Sequence, residues 1–228
     1  MISPLATHVV FHVGPVPVAA PVVTTWAIMA VLIGGSWLAT RTLGRKTGRL
    51  QTVLELVVDT VDGQIRDTMK AEPARYRAFI GTLFIFILAA NWSSLIPGVE
   101  PPTANLATDG ALALAVFVAV IFYGVGAAGV GGYLKSFATP TPLMIPLNFV
   151  ESITRTFSLL VRLFGNVMSG VFILGIALSL AGLIVPIPFM ALDLLTGLVQ
   201  AYIFAVLAMV FIAATISDAG DSPDNRKD

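Results

Sequence analysis

Glu151-Ser-Ile-Thr-Arg155-Thr-Phe-Ser158-Leu-Leu-Val-Arg162-Leu-Phe-Gly-Asn166-Val-Met-Ser169 opens a long apolar run, yet it carries a carboxylate, two guanidiniums, hydroxyls and an amide. On a helix, steps of three and four residues return to one face. Glu151, Arg155, Ser158, Arg162, Asn166 and Ser169 are separated by 4, 3, 4, 4 and 3 residues and therefore form one polar stripe. The remaining faces are Ile, Phe, Leu and Val. A charged side chain deep in a bilayer is costly, so it must face protein or trapped water and normally has a partner. Arg162 has the least local excuse of the group.

The whole chain suits a bilayer. Of 228 residues, 57% are hydrophobic and 11% charged, against about 25% charged in soluble domains. Mean hydropathy is +0.90. Uncharged runs of about 20 residues predict helices, not a barrel. The formal net charge is zero, which gives no reason to expect nucleic acid. The absence of cysteine excludes disulfides, thiolate metal sites and thiol catalysis. His8 and His12 stand outside any apolar run and leave little from which to build a histidine metal site or a Ser-His-Asp triad. No Gly-x-x-x-x-Gly-Lys-Ser/Thr loop is present, so no nucleotide site is expected. No basic region precedes the first apolar stretch, and no signal peptide is expected.

In chain order, the residues predict a single membrane domain. Residues 1–21 hold Pro4, Pro15, Pro17 and Pro21 and read as an irregular external lead-in. Span 1 covers 22–40, with Trp26 and Trp37 placed as interface anchors. Residues 41–77 form a charged connection in which Val53, Leu54, Val57, Val58, Val61 and Ile65 recur at helical spacing, predicting an amphipathic surface helix. Span 2 covers 78–96 and ends at Pro97-Gly98; a loop over 97–109 follows, in which Glu100 and Asp109 read as solvated charges, with a second reading as charges that enrich cations at an outer mouth. Span 3 covers 110–134, its glycines read as packing positions. Residues 143–185 stay helical without a strong breaker, about twice the length a bilayer requires, so this segment must bend, tilt or lie partly in-plane. Pro186-Ile187-Pro188 breaks the chain before a last segment over 189–217, which contains Asp193, Thr196 and Gln200; residues 218–228 are a polar tail.

Basic residues concentrate in alternate connections: eight over 41–77, one over 132–142 and two in the tail, with none in the connections between. That pattern predicts an external N-terminus and a cytoplasmic C-terminus. Depth follows. Glu151 and Arg155 fall toward the cytoplasm, Arg162 and Asn166 near mid-membrane, Asp193 toward the outside, and Gln200 at the level of Arg162 or Asn166. An outer carboxylate and an inner one are thus separated by a fixed positive charge, which forbids a continuous cation pore. Two half-paths remain, useful only if something else carries the ion between them. Arg155 has a second reading, a structural ion pair with Glu151 at i,i+4. Ser158, Ser169 and Thr196 have one too, as hydroxyls bonded back to their own helix.

Ser158-Leu-Leu-Val-Arg162-Leu-Phe-Gly-Asn166-Val-Met-Ser-Gly170 closely resembles the arginine-bearing helix of subunit a of F-type ATP synthases. Pro101-Pro-Thr-Ala-Asn105-Leu and Gln200-Ala-Tyr-Ile-Phe-Ala-Val-Leu are similar to that family as well. The resemblance implies an all-α membrane protein whose last two helices form a strongly tilted hairpin against a rotor ring. It implies a ring of c subunits and b-type peripheral-stalk subunits as partners. It makes the chain a non-catalytic, ion-translocating subunit of a bacterial-type inner membrane, without cofactor or metal, passing H⁺ or possibly Na⁺. Arg162 would keep passing c-ring carboxylates ionised and block ion slip. Asp193, Gln200 and Asn166 would belong to an outer half-channel, Glu151 and Ser158 to a cytoplasmic one, with Arg155 and Asn105 secondary. One departure is Val171, where the family commonly has His or Glu. The rival readings are a self-contained secondary transporter or cation channel, which predicts paired repeats and a midplane site, and a purely structural subunit, which leaves Arg162 unexplained.

Overall fold

The structure, a computed structural model, describes residues 9–13, 16–42, 49–96, 99, 101–137, 144–181 and 186–220. Pro97, Gly98, Glu100, the connections over 138–143 and 182–185, and residues 221–228 lie outside the described residues.

Six helices carry the fold: α1 (Ala20–Thr42), α2 (Arg49–Met69), α3 (Arg77–Trp92), α4 (Leu106–Phe137), α5 (Met144–Ala181) and α6 (Pro186–Gly220). All but α2 are long and apolar enough to cross a membrane, and the chain is an all-α multi-pass membrane protein. Among the described residues, the β-structure falls in the lead-in, expected to be irregular. Strands β1 (Val9–Val13) and β2 (Val16–Ala19) form an antiparallel hairpin with an irregular register between Val9 and Phe11. Valines favour the pleated conformation, and a two-stranded ribbon tolerates Pro17 because both its strands are edges.

Prolines shape the ends of the long helices. Pro186 and Pro188 stand in the first turn of α6, and Pro146 in that of α5. There a missing N–H forfeits no helical bond, so Pro186-Ile187-Pro188 begins α6 and is not a separate break before it. At about 1.5 Å per residue, the 38 residues of α5 and 35 of α6 span about 57 and 52 Å.

One core is drawn from α2 to α6, including Ile65, Ile80, Ile87, Val116, Leu159, Leu163, Phe204 and Met209. Helix α1 contributes little to it: Trp26, Val31, Ile33 and Trp37 are all exposed, as lipid-facing side chains should be. The Arg41 guanidinium sits 3.8 Å from the Trp37 ring centroid at the end of this helix. In α2 the amphipathic expectation divides. Ile65 and Met69 are buried, whereas Leu54, Leu56, Val57 and Val58 remain exposed. Asp62 of α2 accepts a bidentate ion pair from Arg77 at the start of α3, and those hydrogen bonds hold its carboxyl below the usual carboxylate range against the opposing effect of burial.

The glycines of α4 do more than admit neighbours. Gly129 has φ 74° and ψ 167°, breaking the helix in two. Beyond the break the chain folds back, so that a Cβ on Gly124 would meet the Tyr133 ring at 2.8 Å and the Thr215 methyl at 2.6 Å. Gly126 is covered by the Arg75 guanidinium. Gly131 has open space around its Cα.

Candidate functional site

The polar stripe of α5 is present as a stripe but does not act as one unit. Leu159 and Leu163 face the core at 2% and 0% exposure. Arg162, between them in sequence, is exposed on the neighbouring face of the helix. It makes no hydrogen bond or ion pair with any described residue. Its surroundings are an open cleft of about 530 Å³ between α5 and α6, shared with Ser158, Glu151, Thr154, Leu207 and Phe211. The exposed apolar side chains Phe157 and Val161 flank it.

Arg155 takes the structural reading. It forms an ion pair with Glu151 one turn earlier, and its guanidinium lies 5.3 Å from the Phe211 ring of α6. Both partners are largely solvent-accessible, so the pair contributes little net energy. It does tether α5 to α6 beside a second cavity of about 380 Å³, whose polar lining includes Ser136, Asn148, Glu151, Ser152, Thr156 and Thr215.

Toward the other end of α5, Asn166, Ser169, Gly170, Asp193 and Thr196 share a cavity of about 90 Å³. Asp193 is seven residues inside α6, too deep to cap it. Its carboxylate lies directly over Gly170 of α5, where any Cβ would collide with Oδ1. The Ser94 hydroxyl, in the 3-10 turn after α3, donates to Asp193 Oδ2 at 3.1 Å. Val171 is exposed and does not line this cavity; the neighbour of Asp193 is supplied by Ser94 from another helix. The Ser169 hydroxyl donates back to Asn166 O at 2.8 Å and the Thr196 hydroxyl to Asp193 O at 3.0 Å, both within their own helices.

From Ser94 the polar groups continue inward. Asn91, 6% exposed, donates from Nδ2 to Gly197 O at 3.0 Å and accepts the Thr103 hydroxyl at 2.9 Å on Oδ1. Gly197 permits this approach, since a Cβ there would sit 3.0 Å from Asn91 Cβ. Gln200 lies one turn further along α6, 6% exposed, its Nε2 without a partner among the described residues. Asn105 has a local task. Its Oδ1 accepts the Ala107 N–H at 2.8 Å, capping α4.

Sequence reasoning missed Ser94, Asn91 and Thr103 as site-forming residues, although a lone amide in an apolar run was a usable signal. It also misjudged Asp109. That side chain is not a solvated loop charge. It is in the first turn of α4 with 0% exposure, and neither carboxylate oxygen has a partner among the described residues. Leu106 and Ala107 at the start of α4 are exposed, whereas Asp109 turns inward, as do Pro102 and Thr103 of the preceding 3-10 turn. Asp193 is therefore not alone as a carboxylate inside an apolar segment beyond the α5 stripe.

A sequence model of the family described as ATP synthase A chain matches residues 22–213. The chain belongs to that family. It is 52% identical to ATP synthase subunit a 2 of a Bradyrhizobium species, over 94% of this chain and 96% of the relative. Subunit a 1 of Chlorobaculum parvum is 52% identical over 85% of this chain and 86% of its own length. Subunit a of Albidiferax ferrireducens is 49% identical over 90% of each. As a member of the ATP synthase A chain family, the protein is a membrane-embedded stator subunit that works among the other subunits of an ATP synthase in ion-coupled ATP synthesis. A self-contained transporter or channel is set aside.

Proposed function

We propose that this subunit passes monovalent cations, H⁺ or Na⁺, to and from the carboxylates of a c-subunit ring through two offset half-channels separated by Arg162. The observation that carries the reading is an exposed guanidinium on a membrane helix with no counter-charge among the described residues of its own chain. A buried or lipid-facing charge normally has a partner. A carboxylate arriving on a neighbouring ring supplies one, and the guanidinium favours its charged form as it passes. The same positive charge repels a free cation and prevents a short circuit.

The half-channels are the cavity at Asp193, Asn166 and Ser169, and the clefts at Glu151 and Ser158. Gln200 belongs with the Asp193 side. By the distribution of basic residues the Asp193 cavity opens outside and the Glu151 clefts open to the cytoplasm of a bacterial-type inner membrane. The exposed apolar side chains around Arg162, Phe157 and Val161 among them, suit the ring surface; b-type stalk subunits would hold the stator in place. Each elementary charge crossing 100 mV releases about 2.3 kcal/mol, so several crossings supply the work of one ATP.

The test is Arg162→Ala in the assembled complex. ATP-driven ion transport should vanish while the subunits still co-purify; normal pumping by that variant would refute the reading.

A further inference from the structure

Asp109 and Gln200 are two orphan polar groups inside one bundle. Asp109 is fully buried with both oxygens unpartnered, and Gln200 is 6% exposed with its amide nitrogen unpartnered, among the described residues. They stand at one level. Helices α4 and α6 run in the same direction: near one end Asn91 joins Thr103 to Gly197, and further along Gly124 abuts Thr215. Between those two fixed points Asp109 falls beside Gln200, within about one helical turn. Arg162 shares that level, because the adjacent Gly110 packs against Leu160 of α5, two residues before the arginine. Arg162 nevertheless faces outward while Leu159 and Leu163 face the core. The body of α5 stands between the two charges.

An ionised carboxylate sealed in an apolar interior without a partner is strongly disfavoured. Among the described residues no Lys, Arg or His lies within ion-pair distance of Asp109. Beside the next residue, Gly110, stands the apolar Leu160 of α5, and the parallel run of α4 and α6 brings the amide-bearing Gln200 to the same level. What balances the charge must therefore be a small cation. Ser94, Asn91 and Thr103 extend from Asp193 toward this place as successive polar groups.

We propose that Asp109 is a cation-binding station of the translocation path, lying inside the bundle at the level of Arg162, about two helical turns inward of Asp193. The proposal rests on the reading that the Asp193 side of this subunit conducts a cation. The ligand chemistry is a proton or a dehydrated sodium ion on a carboxylate, with Gln200 holding the adjoining water or carboxyl oxygen.

The experiment uses the whole ATP synthase in liposomes and compares wild type with Asp109→Asn, Asp109→Glu and Arg162→Ala. ATP-driven transport is followed as radioactive sodium movement and, without sodium, as a pH change. Asp109→Asn should assemble normally and transport about tenfold more slowly or worse, with Asp109→Glu recovering much of the rate. A changed half-saturating sodium concentration in Asp109→Asn assigns the station to sodium. A changed pH profile without sodium assigns it to protons. Wild-type rates and ion dependence in Asp109→Asn would overturn the proposal, as would reduced assembly with normal transport per assembled complex. Arg162→Ala separates the two ideas. Loss of transport there with a normal Asp109→Asn sinks only the station, whereas normal transport in Arg162→Ala sinks the function on which it rests.

Discussion

Gly170 and Asp193 form an interlocked pair across the α5–α6 contact: the carboxylate of one occupies the space that a side chain on the other would need. Helix α6 can therefore bring a carboxyl group to within van der Waals distance of the α5 backbone, and the cavity with Asn166 and Ser169 exists because of it. Gly170→Ala should push Asp193 off this seat. We expect coupled ion transport to fall severalfold, with a larger loss in Gly170→Val, and Asp193→Asn to impair uptake from the same side. Reconstituted complexes with unchanged rates in all three would assign the pair to packing alone.

Asn91 is the busiest polar side chain in the interior, bonded to Gly197 and Thr103 and adjacent to Ser94 through its own carbonyl. Replacing it with Leu leaves the Thr103 hydroxyl without its acceptor in a buried site. A loss of about 1–3 kcal/mol is expected from the stranded group and the missing interhelical bond. Thermal unfolding of the purified complex in detergent measures it. Thr103→Val, which removes only one donor, should cost less than Asn91→Leu.

Asp62 gives the fold a pH dependence of known sign. Its carboxyl is held below the ordinary range by hydrogen bonds from Arg77, so it releases its proton more readily folded than unfolded. The contribution is complete above the unfolded value of about 4 and is lost as pH falls through the lower folded value. Protease access to α2 should accordingly rise in acid below about pH 4. Asp62→Asn should be more accessible at neutral pH and show a flatter profile. An Asp62→Asn variant whose α2 still loosens over the same acid range would reject this assignment.

Gly129 has the left-handed conformation that other residues adopt only with strain. Ala at this position should lower stability by about 1 kcal/mol, and the loss should appear in thermal unfolding even though nothing obstructs the added methyl group. Alanine at Gly131, where space is also open and the backbone is helical, should be neutral or slightly stabilising.

The five membrane helices are legible because each is an apolar run bounded by charge or proline, and those patterns act locally. Arg162 is legible for a related reason: an isolated guanidinium in such a run has a large desolvation cost whatever surrounds it. Asp109 was not legible. A charge at the edge of an apolar segment reads as solvated, and only its packing inside the bundle, which the neighbouring sequence does not announce, buries it. Ser94 and Asn91 likewise acquire their meaning from contacts with residues about a hundred positions away. The pairing of Val9–Val13 with Val16–Ala19 was hidden by Pro17, which an edge strand tolerates.

The clasp between Asn91 and Gly197 has a mechanical consequence. Under the proposed function, a rotor ring passing α5 and α6 would exert a tangential load, and useful work is extracted only if those helices do not travel with it. Fastening the backbone of α6 to α3 at a glycine, where the two come closest, makes the joint short and stiff and leads the reaction force away from the sliding surface. The anchorage thus sits one turn from Asp193 and Gln200, where slack would be felt soonest as leakage.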